Sequence, residues 1–418
     1  MGQTPNLVMD FDAAIAEVLE HATRLSRPAS ERVGLSESRG RVLAGEVRAD
    51  RDQPPFDRST RDGFAVRAED VGAGLSLRVV GQVRAGEQWR GGEMERGCAI
   101  EIMTGAPLPA GADAVVMVEH AERVGAVLKV EAGRRVEAGE NVVPRGAEGR
   151  AGQVALAAGT VMEAAEIALA ASCGCAEPAV FARPRVAIVA TGDELVEVDA
   201  VPEAWQIRNS NSYALKALVE AAGGFGGRLE VAGDRRNDVW ERVTQGREWD
   251  LMVFSGGVSM GEYDLVEEVL TGLGAEFFFT GVKMQPGKPV VFGRLPRLEN
   301  ADGAGPEGYF FGLPGNPVST QVTFHCLVEP LLRAMCGAGV QGPRFVQATL
   351  AEEVAGKAGL TRVLPALLRY DRARPEVRVV GWQGSGDLGA NARANCYAVL
   401  PPERERFRAG DVITVLLR

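Results

Sequence analysis

Apolar positions along the chain change their period several times, and those changes divide it before any motif is considered. Phe11, Ile15, Val18, Leu19, Ala22 and Leu25 recur at helical spacing, which predicts an amphipathic helix over residues 10 to 26. A capping box at Thr160-Val-Met-Glu163 predicts a second helix running through Ile167 and Leu169 toward Gly174. Between them, short β runs separated by glycines (Leu77 to Val80, Cys98 to Met103, Ala114 to Val118, Val127 to Val130) read as an inserted β module. From about residue 183 the pattern becomes strand, loop, helix, repeated. Val186 to Ala190 is an apolar run, Ser210 to Ala222 is helical, Leu229 to Ala232 is a short strand, Val239 starts another helix and Leu251 to Phe254 is the next strand. That alternation predicts a doubly wound α/β domain. The last stretch returns to short strands, among them Phe345 to Leu350, Val377 to Val380 and Val412 to Leu417. The expected organisation is therefore α/β plus β: a helical and extended linker domain (1–45 with 149–182), the β module (46–148), the α/β domain (183–337) and a C-terminal β domain (343–418).

In an open parallel sheet, ligands bind beyond the carboxyl ends of the strands, and acids stand at those positions here. Asp193 and Glu194 follow the first strand in Thr191-Gly-Asp-Glu-Leu195, Asp234 follows the second, and Asp264 follows the third through Ser255-Gly-Gly-Val-Ser-Met-Gly-Glu-Tyr-Asp264. Any one of them reads equally well as a turn residue or helix cap, but acids at successive strand ends point to a site. Two close carboxylates repel by about 4 kcal/mol at an effective dielectric near 20, so the cluster calls for a cation. Mg2+ suits it, because it takes one or two carboxylates and bridges them to substrate phosphate. Gly256 and Gly257 let successive N–H groups converge as an anion nest beside Ser255 and Ser259.

Other loops add polarity of the opposite sign. Lys288 stands between prolines in Met284-Gln-Pro-Gly-Lys-Pro289; the glycine spacing and Pro289 rule out a Walker A loop. Leu313-Pro-Gly-Asn-Pro317 offers Asn316 as helix cap and Pro317 as first helical residue, and the same geometry that starts a helix also attracts phosphate, leaving both readings open. Gly224-Phe-Gly-Gly227 reads as the end of a helix rather than a dinucleotide fingerprint. Pro54-Pro-Phe-Asp-Arg-Ser-Thr-Arg-Asp-Gly-Phe64 is a polar loop able to meet a polyanion, or simply a turn at Asp62-Gly63.

Composition then removes whole classes. With 46% hydrophobic and 24% charged residues over 418 positions the chain can bury several cores. A net charge of −10 argues against nucleic acid as partner. No long apolar run marks a membrane span and the N-terminus has no signal-peptide pattern, so a soluble cytoplasmic protein is expected. The 6 cysteines lack metal or disulfide-framework spacing, and His21, His120 and His325 lack metal-ligand partners. Any chemistry has to rest on carboxylates, backbone donors and a bound ion.

In order along the chain, Phe56-Asp-Arg-Ser-Thr-Arg-Asp-Gly-Phe-Ala-Val66, Ile102-Met-Thr-Gly-Ala-Pro-Leu-Pro109, Thr191-Gly-Asp-Glu-Leu195, Ser255-Gly-Gly-Val-Ser259, Pro286-Gly-Lys-Pro289 and Gly312-Leu-Pro-Gly-Asn-Pro-Val-Ser319 resemble the molybdopterin molybdenumtransferases, the MoeA and gephyrin E-domain family. The resemblance implies a homodimer of elongated subunits, in which the α/β domain of one faces the β module of the other. It implies Mg2+-dependent cleavage of adenylylated molybdopterin, release of AMP and insertion of molybdenum from molybdate. It implies Asp62, Glu194, Asp234 and Asp264 as functional acids, the latter three as metal ligands, and a substrate loop shaped by Pro314 and Pro317, with Gly315 and Asn316 among its binding residues. Implied partners are a molybdopterin adenylyltransferase and molybdoenzyme-maturation proteins.

The chain departs from the family pattern at Arg145-Gly-Ala-Glu148, where Glu148 carries the charge of the usual aspartate on a longer arm, and at Arg61, where many relatives have an apolar residue. Two other functions stay open at this point. A molybdopterin adenylyltransferase would share the α/β domain but typically shows Gly-Gly-Thr-Gly where this chain has Gly256-Gly-Val-Ser259; a noncatalytic dimeric scaffold would not need the acids.

Overall fold

The computed structural model of the chain describes residues 7–257, 265–296, 308–370 and 374–418. The chain divides into two compact units, one formed by 1–31, 40–44 and 180–418, the other by 32–39 and 45–179.

The larger unit is built on a six-stranded sheet in the order Phe225–Arg228, Arg185–Ala190, Leu251–Ser255, Gly308–Leu313, Val291–Leu295, Glu276–Phe279. The first four run parallel; the last two are joined antiparallel. Alternation along the central strands sends side chains into two separate cores. Val186, Ile188, Leu251 and Val253 meet Leu215 and Val219 of the helix Asn211–Ala221 and Phe11, Ile15 and Val18 of the helix Phe11–Thr23. Ala187, Val189, Met252 and Phe254 meet Val239 and Val243 of Arg236–Gly246 and Val266, Val269 and Leu270 of Leu265–Gly272. Helices on both faces make the domain doubly wound, as the pattern predicts.

One strand differs from its prediction. The edge strand is Phe225–Arg228, inside the glycine-rich stretch that reads as a helix end, and not Leu229 to Ala232. The glycines are there because neighbours press on the strand: a Cβ on Gly227 would come within 1.9 Å of the Trp249 ring, and one on Gly226 within 3.2 Å of Lys216. Leu229 to Ala232 continues beside the first strand through the N–H groups of Leu229 and Ala232, which donate to Ile188 and Ala190 at 2.9 Å each. Asp234 therefore still arrives at the carboxyl edge.

The predicted helix Val318 to Met335 is a single run, Pro317–Thr323 and Glu329–Met335 joined by a π-turn at Phe324–Val328. Pro330 supplies the reason. It has no N–H for the carbonyl of Cys326 and its ring would collide with it, so the wider turn relieves the helix there.

The C-terminal strands Phe345–Leu350, Thr361–Tyr370, Pro375–Val379, Cys396–Leu400 and Val412–Leu417 close into a barrel, because Thr361–Tyr370 pairs with both Pro375–Val379 and Cys396–Leu400. Met284–Gln285, just ahead of Lys288, pairs with Thr361–Arg362 at one rim of it.

His21 has a structural place in this unit. It stacks on Phe278 at 3.8 Å between centroids, and its Nδ1 lies 3.3 Å from the Tyr309 hydroxyl. Burial lowers its pKa, against the opposing pull of Glu17. The neutral form is favoured in the fold, so below about pH 6.5 the unfolded chain binds a proton that the native one resists, and stability falls as pH drops through that range. Between pH 7.5 and 5.5 the melting temperature of the parent should fall about 1 to 2 °C further than that of His21→Gln. Parallel curves for the two proteins would remove His21 from the pH response.

The smaller unit holds a six-stranded sheet in the order Ala114–Met117, Gly63–Val66, Cys98–Ile102, Leu77–Val83, Val127–Val130, Ala121–Val124, with a core on each face. The helix in its later part is Ala164–Ser172, with its cap three residues beyond the predicted one. Glu163, not Thr160, is the capping residue, paired reciprocally with Glu166. Met162 is fully buried and Thr160 N–H closes a turn onto Ala157, which holds the preceding segment out of the helix.

Candidate functional site

The carboxyl ends of Arg185–Ala190, Leu251–Ser255 and Gly308–Leu313 open into a cavity of about 470 Å3. Glu194, Asp234, Ser255, Gly256, Gly257, Pro314, Gly315, Asn316 and Pro317 all line it. Residues that reach it from different points in the sequence are thus brought together as the strand-end argument requires. Ser259 and Asp264 lie outside the described residues.

Each acid is placed by backbone geometry. Gly192 adopts φ +138° and lets the chain fold so tightly that a Cβ there would sit 2.2 Å from Glu194 Oε2. Glycine at that position is what allows the carboxylate to bend back over its own turn. Asp193 and Asp234 clasp the two loops together: Asp234 N–H donates to Asp193 Oδ1 at 3.1 Å, and Asp193 N–H donates to Asp234 Oδ2 at 3.3 Å.

The glycine loop is narrower in function than its sequence implies. Gly256 and Gly257 have φ +90° and +64°, in the left-handed region, packed on Thr191 so closely that a Cβ on Gly256 would meet the Thr191 carbonyl at 2.9 Å. Gly256 N–H, however, donates to the Leu313 carbonyl at 3.0 Å, so it extends the sheet and is no part of a nest. Gly257, the next residue, also lines the cavity. Thr191 Oγ1 is buried in this wall of the cavity and has no hydrogen-bond partner among the described residues.

On the opposite wall Asn316 takes the cap position of the helix and Pro317 its first turn. The Thr320 hydroxyl donates to the Pro314 carbonyl at 2.7 Å and holds the loop against the helix. The segment is thus a well-made helix start, and it borders the cavity.

Lys288 faces an adjoining cavity of about 480 Å3, lined also by Ser319, Arg362, Trp382 and Ser385; the two cavities share Pro289, Pro314 and Asn316. The Lys288 turn is pressed onto the helix at Gly287, where φ is +109° and a Cβ would lie 2.6 Å from Thr323 Cγ2. Arg362 is brought beside it by the pairing of Met284–Gln285 with the barrel strand. Burial lowers the Arg362 pKa, and its Nε is buried without a hydrogen-bond partner among the described residues. A guanidinium and an ammonium on one cavity are chemistry for an oxyanion.

Asp62 and Glu148 belong to the smaller unit and have local partners there. Asp62 Oδ1 accepts from Thr104 N–H at 2.7 Å and from its hydroxyl at 2.9 Å, bonds that lower the Asp62 pKa. Glu148 accepts from Arg58 at 2.9 Å, so the longer arm at this position reaches a cation of its own unit. Arg61 is exposed, and its N–H turns onto Ser59 Oγ at 3.3 Å.

Among the described residues no three His, Cys, Asp or Glu side chains form a ready-made metal cage. Two carboxylates on a polar cavity, Glu194 and Asp234, still suit Mg2+, which keeps waters and completes its shell with substrate oxygens. Sequence reasoning missed Arg208, Asn211, Arg362 and Ser385 as lining residues. The run Asn209-Ser-Asn211 at a helix start was an available signal for one of them. No helix among the described residues is long and apolar enough to cross a membrane.

Residues 9–174 match the MoeA N-terminal region (domain I and II), 187–334 a probable molybdopterin binding domain, and 347–417 the MoeA C-terminal region (domain IV). The chain is 34% identical over 391 residues to the molybdopterin molybdenumtransferase of Staphylococcus aureus, covering 92% of this chain and 90% of that one. The molybdopterin molybdenumtransferase of Staphylococcus epidermidis matches at 34% identity over the same shares of the two chains. The crystal structure of the molybdopterin biosynthesis MoeA protein from Pyrococcus horikoshii superposes with a TM-score of 0.80 at 28% identity, covering 98% of this chain and 100% of that one.

Proposed function

Because the chain belongs to the molybdopterin molybdenumtransferases, the MoeA family, we propose that it cleaves adenylylated molybdopterin with the help of Mg2+, releases AMP and inserts molybdenum from molybdate into the dithiolene. The observation that carries this reading is the adjacency of two unlike cavities, one with Glu194 and Asp234 and one with Lys288 and Arg362, joined at Pro289, Pro314 and Asn316. A phosphoanhydride bridged to a cation suits the first and an oxyanion suits the second.

Glu194 and Asp234 would hold Mg2+, with Asp264 as the expected third acid. The ion would supply neutralisation of the pyrophosphate oxygens. Ser255 and Gly257 would receive phosphate from one side, and the Asn316 helix start from the other. Lys288 and Arg362 would hold molybdate by charge-assisted hydrogen bonds. Attack by water on the adenylyl phosphorus would break the anhydride P–O bond, giving AMP and leaving molybdopterin with its own phosphate. Attack there by a molybdate oxygen would expel the same molybdopterin phosphate and give adenylyl molybdate, from which a water then frees AMP and returns molybdate. The protein's part is positioning and electrostatics. A homodimer, a cytoplasmic setting, supply by a molybdopterin adenylyltransferase and transfer to molybdoenzyme-maturation proteins complete the reading, and family membership is what supports them.

The test is AMP release from adenylylated molybdopterin by the purified protein with Mg2+, with molybdate present or omitted. Molybdate-dependent release is expected. Substrate that binds and is never cleaved would move the chain to a scaffold role.

A further inference from the structure

Asn211 opens the helix Asn211–Ala221 and reaches across the floor of the acid-lined cavity. Its Nδ2 donates to Ser255 Oγ at 2.8 Å and to the Gly315 carbonyl at 2.7 Å. A carbonyl can only accept, so the contact with Gly315 fixes which end of the amide carries the hydrogens. Both hydrogens are then engaged, and Ser255 Oγ is an acceptor in this pair. From these contacts we propose that Asn211 is a positioning residue for the anion site, one that aims two donors borne by other residues: the Ser255 hydroxyl proton and the Asn316 N–H.

The argument for the first donor is one of valence. Ser255 is buried, with 3% of its surface exposed, and its hydroxyl has one proton. Because Oγ accepts from Asn211, that proton is left for another acceptor, and the cavity beside it is where an anionic ligand sits on the proposed reading. The argument for the second is peptide planarity. In a trans peptide the C=O and the next N–H point in opposite directions, so holding the Gly315 carbonyl fixes the direction of the Asn316 N–H at the helix start. Asn211 thereby sets the two loops that flank the cavity in one register. With the amide gone, the Ser255 hydroxyl is free to turn its proton to a neighbouring carbonyl, and the Gly315 peptide is free to rotate.

The inference rests on the reading of this cavity as the adenylylated-substrate site, and the experiment separates the two. Binding of AMP with Mg2+ and steady-state AMP release are measured for the parent, Asn211→Ala, Ser255→Ala and the double variant, with melting temperatures alongside. The single changes are each expected to weaken AMP binding and kcat/KM about tenfold. The double variant should lose no more than about threefold beyond Ser255→Ala, because Asn211 acts through Ser255 and only its Gly315 arm remains. Faster amide exchange at Asn316 in Asn211→Ala should accompany the loss. Should Asn211→Ala fail to fold, Asn211→Ser keeps a residue suited to the helix start, and its single hydroxyl proton cannot serve both acceptors; the same cycle then applies. Losses that multiply in the double variant, or an Asn211 variant that binds like the parent, overturn the inference while the functional reading stands. A parent protein that neither binds AMP nor releases it overturns both.

Discussion

Asp234→Asn is expected to release AMP about 100 to 1000 times more slowly than the parent at saturating substrate, with a melting temperature within about 2 °C of it. The two halves of that expectation come from different atoms. Catalytically, the substitution removes one of the two described carboxylates that line the cavity and leaves the cation to Glu194 and the expected third acid, Asp264. Structurally, it removes little: Asp234 is exposed, its N–H still donates to Asp193 Oδ1, and the amide oxygen of Asn can still accept from Asp193 N–H. Raising Mg2+ should recover part of the loss, since the variant's defect includes weaker ion binding. Asp193→Asn is the control, because Asp193 takes part in the same clasp and is absent from the cavity lining. It should cost far less activity. Equal losses of activity in both variants, or a large fall in melting temperature for Asp234→Asn, would make Asp234 a loop-holding residue and remove it from the metal site.

What could be read from the sequence follows from how far each interaction travels along the chain. Glu194 and Asp234 were legible because the parallel α/β pattern fixes where strand ends go, and a residue just after a strand goes with it. Asn316 and Pro317 were legible because a helix start is chosen locally. The edge strand was not, since Phe225–Arg228 is a strand despite its glycines, which answer to Trp249 and Lys216 rather than to local propensity. The helix cap moved to Glu163 because burial of Met162, a tertiary event, decides where the helix begins. Gly256 shows the same limit within the site itself: its φ was foreseeable, the use of its N–H by Leu313 was not. Arg362 is the extreme case. Nothing near it in sequence points to Lys288, and only the pairing of Met284 with Thr361 puts the barrel rim beside the Lys288 turn.

That pairing carries the second large expected effect. Arg362→Met should raise the molybdate concentration needed for half-maximal AMP release by about 10 to 100 times, while AMP affinity changes little. Lys288→Met should raise it less. The order follows from solvent: Lys288 is exposed, so water and salt screen its charge, whereas Arg362 is half-buried and its charge is screened less. Arg362 also donates from Nη1 to the Ala355 carbonyl, so part of its side chain is already held in place before any ligand arrives. Arg362→Lys tests whether charge alone suffices. An ammonium keeps the charge but not the fork, and should restore only part of the molybdate response. Added salt should weaken molybdate binding more in the parent than in Arg362→Met, since less charge is left to screen. If Arg362→Met loses AMP affinity as heavily as its molybdate response, the two cavities act as a single substrate site, and the separate seat for the oxyanion has to be given up.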